Sequence, residues 1–266
     1  MNLFLVIILY FLSLQAYGQD SVYAEYEKKA DTLMTKIKAR SNSEGDVKEL
    51  KQIAFGFQNY GQLLDESGHD HINALKYTDK AINFFTVLGD TASIANNNKF
   101  KGYLLGRLKR FPEAKAIIKT AIGLYQLLKK DAGVAVSQFD LSRVYEMENK
   151  FDSAIYYCNI SLAYWNSKSV APRMLGNQTM LINLLIKIKD NERAKATQLI
   201  SEKLITTQDF HWQDLIDFYF VSAQLYKAIN ESVTAANYQK LYDNKIADLK
   251  KENIIARSYF DSKGGN

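Results

Sequence analysis

The chain has 266 residues with 2 prolines, 13 glycines and 1 cysteine, and its 34 basic and 29 acidic side chains leave a net charge of +5. One cysteine excludes an internal disulfide, so packing alone must hold the fold. The basic residues are scattered rather than gathered into a stripe, which argues against a nucleic-acid binder; the densest cluster, Arg107, Lys109 and Arg110, falls at a turn and reads as solvated.

Residues 1–18 read as a leader outside the fold. Residues 3–14 form an apolar run shorter than the roughly 20 residues of a membrane-spanning helix. Ala16, Tyr17 and Gly18 then supply the small-x-small site that a signal peptidase cuts. No Lys or Arg precedes the run, so a tether through an uncleaved N-terminal segment is the alternative to a secreted or periplasmic protein. Cys158 lies too far from the cleavage site for a lipid anchor. No later apolar run is long enough to span a membrane.

Apolar residues recur at spacings of three and four through the rest, and strand-like alternation is absent, so the chain reads as all-α. A lead or capping segment, 19–45, carries a helix over 21–39 with Tyr23, Tyr26, Ala30, Leu33 and Met34 on one stripe. Turn chemistry at 41–45 ends it. The next helix, 46–64, places Leu50, Ile53, Ala54 and Phe57 inward, and residues 65–70 read as the longest internal turn. Helices follow over 71–85 and 93–108, with a partner opened by Pro112 in its first turn, where the missing N–H costs nothing. After a break at 131–133 come 134–147 and 151–165; after another at 166–169, Pro172 opens a helix to 188. The last are 192–204, 212–229 and a long one reaching about Tyr259, with a disordered tail over 260–266. The expectation is one lead helix and five pairs, the array occupying 46–259.

The pairs repeat. Ala74, Ala114, Ala154 and Ala194 are 40 residues apart, each at the same point of a related segment, and Ala235 marks a looser fifth copy one residue late. A fixed period of this size is the signature of stacked helix pairs. The phase within the repeat resembles the tetratricopeptide repeat. One copy offers Gly102, Phe111, Ala114 and Ala121, the next Ser142, Phe151, Ala154 and Ser161: a small residue, a turn aromatic, an alanine and a second small residue. The resemblance implies a right-handed α-solenoid of antiparallel helix pairs. Its period exceeds the family's usual length of about 34 residues, which adds roughly 9 Å of helix per pair. Such long repeats resemble those of extracytoplasmic modules in bacterial sensor and regulator proteins. HEAT and armadillo units have similar periods but lack this turn spacing. The turn aromatic is missing at His71, Asn191 and Ser232.

No constellation carries chemistry. His69 and His71, with Asp65, Glu66 and Asp70 nearby, read as an exposed polar turn rather than the defined ligand set a metal needs; His211 stands alone. No nucleophile elbow or phosphate-cradling loop occurs, and Glu146 and Glu148 do not face one another on a helix. The Asn-x-Ser/Thr triplets at Asn159, Asn177 and Asn230 read as chance. Cys158 reads as a buried filler, and Phe84, Tyr125, Tyr145, Tyr156, Tyr226 and Tyr242 as core aromatics. The chain is expected to be no enzyme, with no catalytic residue, metal or cofactor.

What the resemblance adds is a concave groove lined by the first helices of successive pairs. Its ligand-facing positions carry over to Asn96, Lys99, Tyr103 and Arg107, then Phe139, Arg143 and Glu146, then Thr179, Asn183 and Lys187, and lastly Phe220, Gln224 and Lys227. Amides, aromatics and cations there suit a protein or extended peptide, acidic ones included; the alternative is a merely solvated inner face. The asparagine of the co-chaperone carboxylate clamp is absent, since Phe100 and Asp140 stand there. Two functions follow: an exported binding scaffold or sensor module, or a structural subunit that assembles through its terminal helices. Neither oligomeric state nor partner is written in the sequence.

Overall fold

The computed structural model describes residues 19–68, 70–210 and 212–251. The leader, His69, His211, the tail and the predicted continuation of the last helix to Tyr259 lie outside these residues.

The described residues form helices α1 (Gln19–Lys38), α2 (Glu44–Gly68), α3 (His71–Val87), α4 (Thr91–Arg107), α5 (Phe111–Leu127), α6 (Asp131–Met147), α7 (Phe151–Lys168), α8 (Ala171–Lys187), α9 (Asn191–Thr207), α10 (Trp212–Ala228) and α11 (Ser232–Lys251). A finer beat underlies the 40-residue period. Most helices from α3 onward are 17 residues long, and the turns after them place one residue in the left-handed region. Gly89, Lys109, Lys129, Asn149, Ser169 and Lys189 all have positive φ. Each position is 20 residues from the next.

These turns are stabilised by backbone bonds to the preceding helix. Lys109 N–H donates to Gly106 O and Arg110 N–H to Leu105 O; Lys189 and Asp190 repeat the pattern on Ile186 and Leu185. This is the Schellman arrangement, which satisfies otherwise orphaned carbonyls. The next helix then starts at once, helped at α3, α4 and α9 by Asp70, Asp90 and Asp190, whose carboxylates cap the N–H groups of Asn73, Ser93 and Arg193.

Several predicted breaks are helical. Residues 131–133 are the first turn of α6, because the chain has already reversed at Lys129. Residues 166–168 complete α7, and only Ser169 leaves it. Residues 65–68 extend α2, so the predicted long turn is short. At α9 the exit differs: Gln208 is extended (φ −146, ψ 155), and α10 starts at Trp212. This longer connection explains why Ala235 comes one residue late. Its N–H donates to Glu231 O as that of Ala194 does to Asp190 O.

The chain divides into two compact units at Leu128/Lys129. In unit 1, α2 pairs with α3 and α4 with α5, while α1 packs on α2 and α3. Its core is aromatic: Tyr23 stacks on Tyr60 at 4.0 Å and meets Phe57 edge-on at 5.3 Å. Ion pairs Lys29–Glu49 and Lys36–Asp46 tie α1 to α2, and Lys80 of α3 reaches Glu27. In unit 2, α6 pairs with α7, α8 with α9 and α10 with α11; its core includes Leu175, Ile182, Leu185, Phe218 and Leu225.

The small residues of the repeat sit where helices touch. A Cβ added to Gly102 would fall within the side chain of Ile118 on α5. Ser142 Oγ donates to Ala154 O at 2.7 Å across the α6–α7 pair, and Ala74, Ala114, Ala154 and Ala194 are fully buried. Among the predicted core aromatics, Phe84, Tyr125 and Tyr226 are buried, and Tyr145 and Tyr242 half-buried. Tyr156 is not core. It is 61% exposed, on the side of α7 turned away from the buried Ala154 and Cys158.

Candidate functional site

In unit 2 the first helices of the three pairs, α6, α8 and α10, present one face to a cavity of about 670 Å³. Helix α8 packs on α10 and is tied to α6 by Glu146, whose Oε1 accepts from Asn183 Nδ2 and Lys187 Nζ, both at 2.7 Å. The lining positions follow helical spacing and recur from helix to helix. Val136, Phe139 and Arg143 come from α6; Arg173, Gly176, Asn177, Thr179, Met180 and Asn183 from α8; Asp214, Asp217, Phe220 and Val221 from α10. Trp165, near the end of α7, lines the cavity beside them.

The polar groups are placed distinctively. Asn177 is 3% exposed and Thr179 7%. Asn177 Nδ2 donates to Arg173 O at 2.8 Å, but its Oδ1 and the Thr179 Oγ1 find no protein partner. Buried polar atoms left this way cost about 1–3 kcal/mol each, and both residues are among those that line the cavity. The Arg173 guanidinium lies 5.8 Å from the Trp165 ring and forms no ion pair among the described residues. Arg143 Nη1 is 3.6 Å from Asp140 Oδ1 on its own helix. Behind Asn177, the Cys158 thiol donates to its backbone oxygen at 3.3 Å. Burial, with Glu146 adding negative charge nearby, pushes that thiol up to about 12. Cys158 is thus a buried filler, sealed from disulfide exchange.

Of the groove positions carried over from the repeat family, the cavity brings together Phe139, Arg143, Thr179, Asn183 and Phe220. Glu146 and Lys187 stand next to it through the Asn183 bond. Gln224 and Lys227 are exposed further along α10. Asn96, Lys99, Tyr103 and Arg107 lie on α4 in unit 1, the first three half-buried. Arg107 Nε donates to His71 Nε2 at 3.3 Å, and His71 Nδ1 is 2.7 Å from Asp65 Oδ1. The His71 and Asp65 side chains, 15% and 11% exposed, correct the expectation of an open polar turn: they bridge α2 and α3. No metal-binding cluster occurs among the described residues.

Sequence reasoning missed Arg173, Gly176, Asn177, Asp214 and Asp217. The signal for part of this set was available. Position 136 and its equivalents 176 and 217 lie three residues before 139, 179 and 220, on the same helical face.

No protein-family profile matches the chain, and no curated protein does. Solved structures do resemble it. BtubC from P. vanneervenii is 15% identical, with a TM-score of 0.64 over 86% of this chain and 92% of that one. A putative kinesin light chain with TPR-like repeats from Podosopora anserina is 13% identical, with a TM-score of 0.53 over 76% of this chain and 95% of its own. A Rap protein solved in complex with competence and sporulation factor is 10% identical, with a TM-score of 0.60 over 90% and 70%. The chain has the TPR-like helical-repeat fold, an α-solenoid of helix pairs. At these identities the likeness speaks for the fold alone.

Proposed function

We propose that the protein is a non-enzymatic binding scaffold that holds a protein or peptide segment in the cavity of unit 2, and that it works outside the cytoplasm after removal of residues 1–18. The observation that carries this reading is a cavity of about 670 Å³ lined at recurring positions by α6, α8 and α10, with Asn177, Thr179 and Asn183 among its polar residues. That volume lies within the range of ligand pockets. Its lining alternates aromatic and apolar side chains with amides and charges, the mixture that binds an extended chain through backbone and side chain together. The Rap protein solved with competence and sporulation factor lends support from a like fold. Export rests on the apolar run and the small-x-small site in the sequence.

The alternative, assembly through terminal helices, draws little from α11, whose exposed apolar side chains, Val233 and Leu241, stand about 12 Å apart along the helix. Isolated exposed apolar residues are ordinary.

The test is capture of partners from a solubilised envelope extract by the parent protein and by two variants that retain the parent's circular dichroism. Gly176→Trp fills the cavity, since a Cβ at Gly176 meets no atom within 4 Å. Lys99→Glu with Arg107→Glu alters α4 instead. A partner kept by the α4 variant and lost by Gly176→Trp supports the reading; one kept by Gly176→Trp places binding elsewhere. The mass of the exported protein tests cleavage, with a chain starting at Gln19 expected and an intact leader contradicting it.

A further inference from the structure

The cavity has a polarity that a general peptide groove does not require. Helices α8 and α10 run side by side, and at matched positions near their N-terminal ends they carry opposite charges. Arg173 is the third residue of α8 and Asp214 the third of α10; one turn on, Gly176 faces Asp217. All four line the cavity. Arg173 is held over Trp165 at 5.8 Å, a contact that orients a guanidinium without neutralising it.

We propose that the cavity takes a peptide segment of mixed charge in one orientation, its acidic group against Arg173 and its basic group against Asp214 and Asp217. This rests on the reading of the cavity as a peptide site. Neighbouring packed helices lie about 8–10 Å apart, and an extended chain advances about 3.3–3.6 Å per residue. The two charged groups therefore sit about three residues apart on the segment. A wholly acidic segment, which the groove cations alone would suggest, sets a carboxylate against Asp214 and Asp217. A wholly basic one sets an ammonium against Arg173. Each like-charge contact opposes binding of the wrong segment.

The experiment uses the purified protein and four fluorescein-labelled hexapeptides on a serine–alanine background, read by fluorescence anisotropy. Two carry one lysine and one glutamate three residues apart, in the two possible orders; the others carry two glutamates or two lysines. One mixed order is expected to bind about tenfold or more tightly than the other three, the scale of a charge-assisted hydrogen bond. Arg173→Glu should move the preference to the two-lysine peptide, and Asp214→Lys with Asp217→Lys to the two-glutamate peptide. Equal binding of all four, abolished by Gly176→Trp, overturns the polarity and leaves the peptide reading standing. Equal binding of both mixed orders overturns the single orientation. Absence of binding by any of the four, with the protein folded by circular dichroism, overturns both.

Discussion

Gly102 and Gly176 are both interior to 17-residue helices, yet they have opposite surroundings. Gly102 lets α4 approach α5 closely, and a Cβ there meets Ile118. Gly102→Ala should therefore cost about 1–3 kcal/mol through overpacking. Gly176 faces open space, and Gly176→Ala should stabilise by about 0.5–1 kcal/mol because alanine suits a helix interior better. Urea unfolding of the two variants checks both signs. The first glycine was legible, since a small residue twelve positions before the marker alanine is part of the repeat pattern. The second was not, because nothing in a helix sequence says whether a gap faces solvent or a cavity. Asn177 was likewise illegible as a site residue: an unpartnered oxygen is a property of what surrounds it. Cys158 shows the converse. Its register alone indicated burial, and with its pKa raised by desolvation to about 12 the thiolate is scarce at any pH below that. Thiol reagents at about pH 8, near the ordinary pKa of a free thiol, should label it only as fast as unit 2 opens, and rapid labelling of the folded protein would contradict the structure.

At the scale of elements, the turns explain why helix ends were harder to read than helices. Left-handed positions are commonly glycine, but here only Gly89 is; Lys109, Lys129, Asn149, Ser169 and Lys189 carry side chains. The chain therefore reverses without the punctuation that marks a turn, and the turn-like runs at 131–133 and 166–169 mislead. A left-handed residue with a side chain costs about 1–2 kcal/mol. Lys109→Gly and Lys189→Gly should each stabilise by about 1 kcal/mol, and Gly89→Ala should destabilise by a similar amount, in thermal unfolding. The start of α2 has a pH signature. Asp46 accepts from the Ser43 N–H at 2.7 Å and from its hydroxyl at 2.8 Å, and Ser43 Oγ accepts the Asp46 N–H at 3.2 Å, a capping box. The Ser43 backbone bond, aided by its hydroxyl and Lys36, lowers the carboxyl to about 2. A depressed carboxyl stabilises the fold above its unfolded pKa and loses that contribution as pH falls. Amide exchange in the first turn of α2 should thus rise, after correction for intrinsic rates, between about pH 4 and about pH 2, and Asp46→Asn should remove the step.

At the scale of the molecule, the 40-residue period was the most legible feature, because Ala74, Ala114, Ala154 and Ala194 are fully buried contact points between helices. The division at Leu128/Lys129 was not legible, since the alanine markers continue across it at constant spacing. Of the groove positions read from the sequence, those on α4 lie in unit 1 and those on α6, α8 and α10 in unit 2, where a cavity is lined by α6, α7, α8 and α10. The fold is thus written in residues that touch, and the candidate site in the helix faces of unit 2 that line a cavity. Hydrogen–deuterium exchange, with and without the tightest-binding hexapeptide, tests that claim most directly. Slowed exchange is predicted in the segments 136–143, 172–183 and 214–221, with α1 to α3 unchanged. Protection confined to α4, or to the terminal helices α1 and α11, would contradict it.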